Sequence, residues 1–385
     1  MNWKLKGRAL LLAASAVAAA VLVACGGGGD AAPPKVGITK VYVAGDSLAD
    51  AGVFGAKFTV QKAADPATGY PVYPQIVAAN YGITAQCPFF RSSTGGASFT
   101  TTAGCTNFAV GGGHIVNPAA QGGAAAPFQL SVQLGAALQT NGGAYTASDL
   151  VIIDAGGNDA ADLVGAYLGM AAGPAGVQAY MTFLGGQLDA ATVNAAAAGG
   201  AAGLANAAGL YMTKLADTYW NTIKATVLDK GATHVAILNI PDITLTPRFR
   251  AVLAQVAAAN GGGTTGATAA ANLQAAIQTW IKAFNARLVT DVNGDTRVAL
   301  VPFFEDFTDE LAHPSDYGLS NSTDPACAET GFPATCVDAQ LNAQAGKTAG
   351  WWERYAFSNG FHPTPFGHSL LASSVSRAIA RMGWL

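Results

Sequence analysis

Five short apolar runs punctuate the chain, at residues 40–44, 106–110, 150–155, 233–240 and 297–303, and most of them are rich in Val and Ile. Runs of that length and composition read as buried strands. Between them lie stretches of helical character at 73–81, 128–140, 210–230 and 272–289, and a further helix is expected at 366–382. Strands alternating with helices argue a parallel sheet covered on both faces. Five such strands would form an α/β, flavodoxin-like three-layer α/β/α sandwich with a mostly parallel five-stranded sheet. Sheets of this kind carry their chemistry beyond the carboxyl ends of the strands.

The first run, Val41-Tyr42-Val43-Ala44, breaks at Gly45 and delivers Asp46-Ser47-Leu48-Ala49-Asp50 to that edge. A serine in a strand-to-helix turn is by itself more often a helix N-cap than a nucleophile. Three further segments change the reading: Asn107-Phe108-Ala109-Val110-Gly111-Gly112, Gly156-Gly157-Asn158-Asp159 and Phe361-His362-Pro363-Thr364. In that order, with those residue types, they resemble the motif blocks of the GDSL or SGNH lipase and esterase family, from about residue 40 to the C-terminus. The family's fold is the same three-layer sandwich. The stretch Leu238-Asn239-Ile240-Pro241-Asp242-Ile243-Thr244-Leu245-Thr246-Pro247 also resembles a strand-end segment of the larger bacterial and plant GDSL enzymes, lecithinase-like and hemolysin-like lipases among them. No catalytic role is assigned to it.

Acyl transfer needs a nucleophile, a base and donors for the oxyanion. The resemblance implies Ser47 as nucleophile, its own N–H as the first donor, the Gly112 N–H as the second and the Asn158 side-chain amide as the third. Gly111 replaces Gly112 if the register is shifted by one. His362 is the expected base, because the other four histidines lack a motif: His368 reads as packing, His234 opens a strand and His313 falls in a loop, while His114 follows the glycines and could border the cleft. Ser358 sits in a weak imitation of a nucleophile elbow, with no room for an acid before the histidine, and is rejected.

One position departs from the family. Three residues before the histidine the family usually has Asp, and this chain has Asn359. An Asn accepts the imidazole Nδ1 proton but does not stabilise the imidazolium as a carboxylate does. Three accounts stand open: Asn359 orients His362 through its amide oxygen; a carboxylate from elsewhere, with Glu353, Asp306 or Asp309 as suspects, takes the place; or hydrolysis is lost and a binding pocket remains. The expected function is therefore an exported serine esterase or lipase acting through an acyl-enzyme. The alternatives are an impaired lipid- or glycan-binding lipoprotein of the same fold, and an acyltransferase.

The N-terminus reads as an address. Lys4, Lys6 and Arg8 precede an apolar run too short to span a bilayer, and Leu22-Val23-Ala24-Cys25 resembles a lipoprotein cleavage box. We expect residues 1–24 to be a signal peptide, 25–39 a flexible tether lipidated at Cys25 for membrane attachment, and 40–385 the hydrolase domain. Cys87, Cys105, Cys327 and Cys336 allow three pairings, of which the local one, 87 with 105 and 327 with 336, is favoured in an oxidising compartment. With a formal charge of −3 and no basic patch, nucleic acid is excluded as a partner. The expected partner is a small-molecule or lipid ester, the expected state a monomer, and no metal or organic cofactor is implied. Asp291-Val292-Asn293-Gly294-Asp295 lacks the Gly and Glu of a calcium loop and reads as a turn. Only 11% of residues are charged while 47 are Gly, and segments 190–208 and 257–271 are almost all small. These read as poorly packed helical insertions or mobile surface loops.

Overall fold

The computed structural model describes residues 36–66, 68–116, 123–327 and 335–385. The signal peptide, Cys25 and most of the tether lie outside them. The central sheet contains β1 (Lys40–Ala44), β4 (Asp149–Ile153), β5 (Val235–Leu238) and β6 (Val298–Val301), all parallel and adjacent in that order. Two small ladders lie outside it: β2 (Phe90–Arg91) with β3 (Thr100–Thr101), and β7 (Asn321–Pro325) with β8 (Tyr355–Phe357). The fold is the expected α/β sandwich, with one difference in the sheet.

The fifth run does not form a regular strand. Residues 106–110 follow the outer edge of β1 through three bonds: Val43 N–H to Thr106 O at 3.0 Å, Phe108 N–H to Val43 O at 2.7 Å and Val110 N–H to Gly45 O at 3.2 Å. The pattern breaks at Gly45, whose N–H donates to the Gln133 side chain at 2.7 Å instead of continuing the ladder, while Asn107 turns its amide onto the backbone, donating to Ala49 O at 2.8 Å and accepting from Ala109 N–H at 3.1 Å. The sheet therefore has four ladder strands and an irregular fifth edge.

Strand alternation splits the core into two layers. Tyr42, Ala44, Val151, Ile153, Val235 and Ile237 face one way, into one cluster with Leu134 of α2 (Leu130–Thr140), Tyr219 of α6 (Gly200–Thr226) and Phe284 of α8 (Gly263–Val292). On the other side α11 (Pro365–Arg381) packs against β5, β6 and α1 (Tyr73–Ala79). The buried residues of α6, including Leu204, Ala208, Tyr211, Leu215, Tyr219 and Ile223, recur at helical spacing, so one stripe faces the core. α11 starts at Thr364, whose hydroxyl accepts the Gly367 N–H at 3.1 Å.

The Ala/Gly segments are helical. Residues 190–208 form α5 (Ala190–Ala198) and the start of α6, and 257–271 end α7 (Pro247–Ala259) and begin α8. Their smallness lets backbones touch: a Cβ on Gly203 would lie 2.3 Å from Ala196 O, and one on Gly266 2.1 Å from Ala257 O. The composition thus records close helix–helix approach. Both favoured disulfides are present, Cys87–Cys105 and Cys327–Cys336. Among the described residues no helix is long and apolar enough to cross a membrane.

This packing sets opposite signs for two similar changes. Gly203→Ala should lower stability by about 1–3 kcal/mol through overpacking. Gly165→Ala, on an open face of α3 (Gly157–Gly169), should raise it by about 0.5–1 kcal/mol through helix propensity. Urea unfolding of both variants reads the difference; equal effects would contradict the packing described.

Candidate active site

Ser47 lies at the carboxyl end of β1, where the chain turns without starting a helix; the next helix is α1, at Tyr73. The expected strand-to-helix turn is therefore a turn-rich loop instead. Its start is fixed by close approach, since a Cβ on Gly45 would lie 1.4 Å from Asp154 Oδ1. Fully buried Gln133 of α2 then pairs with Gly45 like a neighbouring strand, accepting its N–H at 2.7 Å and donating to its carbonyl at 2.9 Å. Asp46 closes the turn, its carboxylate accepting the Leu48 N–H at 2.9 Å and its carbonyl accepting from Ala49 and Asp50. Ser47 is held, largely buried, on this frame.

The His362 Nε2 stands 2.9 Å from Ser47 Oγ, and its Nδ1 stands 3.0 Å from Asn359 Oδ1. The same Asn359 oxygen accepts the backbone N–H groups of Phe361 at 2.9 Å and His362 at 2.8 Å. Those two donors determine the chemistry. An atom that receives two backbone N–H groups is the amide oxygen, so the imidazole nitrogen facing it must carry a proton. Nε2 is then left unprotonated and able to accept from the serine hydroxyl.

Burial, with His368 and Arg248 nearby, pushes His362 down to about 3. Among the described residues no carboxylate acts against that shift. Asp306 is turned to Ser374 and Arg377, and Asp309 to His313 and Tyr317. Among the described residues, Asn359 is the hydrogen-bond partner of His362 Nδ1.

The two remaining blocks meet beside the turn. Gly113 lies against it, since a Cβ there would be 2.6 Å from Gly45 O, and Asn158 Nδ2 donates to Gly113 O at 2.9 Å. Gly156-Gly157-Asn158-Asp159 leads directly into α3, so Asn158 sits on the first turn of a helix. Asp50 separates the two glycine candidates. Its fully buried carboxylate accepts from Gly52 and Val53 at 2.7 Å each and from Gly111 at 2.7 Å, so the Gly111 N–H is already used. Gly112 has φ +79°, and among the described residues neither its N–H nor that of Ser47 donates to a protein acceptor.

Asp50, Gln133 and Asp154 were not singled out by sequence reasoning. The available signal was polarity at the ends of apolar runs, as in Ile152-Ile153-Asp154. Burial pushes Asp46 and Asp50 up to about 6, and Asp154, buried against Asp46, well above the usual carboxylate range. His114 is buried and pairs with Asp162, its Nε2 3.0 Å from the carboxylate. His368 is buried, its Nδ1 accepting the Tyr73 N–H at 3.3 Å.

A hydroxyl aimed at a neutral, oriented imidazole, with free N–H groups at its side, is an arrangement suited to acyl transfer. The family model for the GDSL-like lipase/acylhydrolases matches residues 41–375, covering all these elements, and speaks for the family rather than any branch of it. No curated protein matches the chain. The chain thus belongs to the GDSL-like lipase/acylhydrolase family and carries an esterase-, lipase- or acyltransferase-type function.

Proposed function

We propose that the protein is an exported serine esterase that hydrolyses carboxylic esters through an acyl-enzyme. The observation that carries the reading is the 2.9 Å approach of Ser47 Oγ to an Nε2 whose partner nitrogen is held by Asn359. Ser47 Oγ attacks the ester carbonyl carbon and passes its proton to His362 Nε2. The Ser47 and Gly112 N–H groups and the Asn158 amide, one of whose two N–H groups is committed to Gly113, receive the oxyanion. Nε2 then protonates the departing alcohol oxygen, and water repeats the sequence to release the acid.

Asn359 sets the rate. In serine proteases, replacing the triad Asp by Asn lowers turnover about 10⁴-fold because the wrong tautomer forms. Here the backbone donors to Asn359 Oδ1 exclude that tautomer, so the remaining cost is the missing charge opposite the imidazolium. Export, with attachment through a lipid on Cys25 and action as a monomer, completes the proposal. It is supported by the N-terminal sequence and by two disulfides suited to an oxidising compartment.

On a short-chain chromogenic ester, Ser47→Ala should reduce hydrolysis to background; equal rates in wild type and variant would remove the hydrolase reading. Asn158→Ala should retain Ser47 labelling by a fluorophosphonate yet lose about 10²–10³-fold in kcat. Unchanged turnover would take Asn158 out of the oxyanion site. Because His362 is depressed to about 3, kcat/KM should stay flat from about pH 8 down to about pH 5. Asn359→Asp should raise kcat by about tenfold at pH 8 and bring an acid limb up toward pH 6–7, since a carboxylate favours the imidazolium. A fall in kcat at pH 8 in that variant would contradict the role given to Asn359.

A further inference from the structure

Beyond the serine, the carboxyl ends of β1, β4, β5 and β6 open into a pocket with Ser47 at its border. Its apolar walls carry Leu238, Ile243, Phe303, Phe307, Phe357 and Phe361. The polar groups on the walls away from the serine turn are already engaged. Asn239 donates to Glu305 at 3.2 Å and accepts the Phe304 N–H at 2.7 Å, and the Thr246 hydroxyl donates to Ile243 O at 2.7 Å. Of the two carboxylates at its border, Asp154 accepts the Asp46 N–H and Asp46 that of Leu48, and Asp154 Oδ2 is the one buried side-chain oxygen of the walls left without a hydrogen-bond partner among the described residues. A polar ligand group entering the pocket would lose water and gain little, whereas an apolar one gains by burial.

Tetrahedral geometry says which part of an ester points there. The carbon attacked by Ser47 bears an oxyanion, an alcohol oxygen and a chain. The oxyanion belongs with Gly112 and Asn158, and the alcohol oxygen must lie within reach of His362 Nε2 to take its proton. None of those three residues lines the pocket, so the direction left over is that of the chain.

We propose that this pocket binds the acyl chain, making the substrates esters of apolar carboxylic acids, with Phe307 helping to set the chain length accepted. Phe307 comes from α9 (Phe303–Ala312), outside the reacting groups, and stands edge-on to Phe303 and Phe357, with ring centroids 5.6 Å and 6.0 Å away. Truncating it lengthens the space without touching the machinery. The proposal rests on the hydrolase reading.

The test uses two families of p-nitrophenyl and alkyl esters with the full-length protein. Lengthening the acyl chain from acetate should raise kcat/KM about three- to fourfold per methylene until the pocket is full. Lengthening the alcohol of acetate esters should change it by less than about twofold. Phe307→Ala should move the acyl optimum to longer chains without giving the alcohol series a dependence on chain length. A flat acyl profile, or an alcohol profile steeper than the acyl one, overturns the proposal while Ser47-dependent hydrolysis persists. Activity that survives Ser47→Ala is the separate result that removes the hydrolase reading. Should Phe307→Ala not fold, the two wild-type profiles alone decide.

Discussion

The site depends on one oxygen. Asn359 Oδ1 gathers two backbone N–H groups and the imidazole Nδ1 within a loop of four residues, and so specifies both the orientation and the tautomer of His362. The loop is itself held, by Ser358 N–H donating to His362 O at 2.8 Å and by Arg248 N–H donating to Gly360 O at 2.8 Å. An amide thereby does part of what a carboxylate does in the usual triad. It supplies position and tautomer without negative charge, and the base remains neutral at the bottom of its range.

The Ser47 side is built on the same economy of short polar contacts. Gln133 stands in for a strand beside Gly45, and Asp50 ties the serine loop to the 111–113 glycine loop through Gly111. These carboxyls are ionised at a cost. With folded values near 6 for Asp46 and Asp50 against about 3.9 unfolded, the native state binds more protons between those values, and stability falls as pH rises through that window. His362 and His368, lowered to about 3 and 4, act in the opposite sense, and their contribution is lost as pH falls from about 6.5. Stability is given up at both ends for a preorganised site, as is common where function needs buried polar groups.

Much of this was legible in the chain because it rests on short-range pattern. The four ladder strands coincide with apolar runs, whereas Ser47, Asn158 and His362 stood out through the resemblance of their motif blocks to the GDSL family. What escaped was set by long-range contacts. Residues 106–110 look like a strand, but the Gly45 N–H that would extend the ladder goes to Gln133, 88 positions away in sequence, and the ladder stays irregular. The Ala/Gly segments left helix and loop both open, because the deciding fact is a neighbouring backbone within 2.3 Å of a missing Cβ. Asp50 and Gln133 carry no local signature; their importance lies in partners 61 and 88 residues distant. That Asp306 and Asp309 do not take the place of Asn359 likewise required seeing where they point.

The central claim is that His362 works as a neutral base whose proton sits on Nδ1, held there by Asn359. Nitrogen-15 chemical shifts of the His362 ring, followed from about pH 8 to about pH 5 in the resting protein, test it most directly. The account expects one protonated nitrogen hydrogen-bonded to Asn359, one unprotonated nitrogen facing Ser47, and no titration across that range. A ring that titrates near pH 6.5, or one whose proton resides on Nε2, would contradict it.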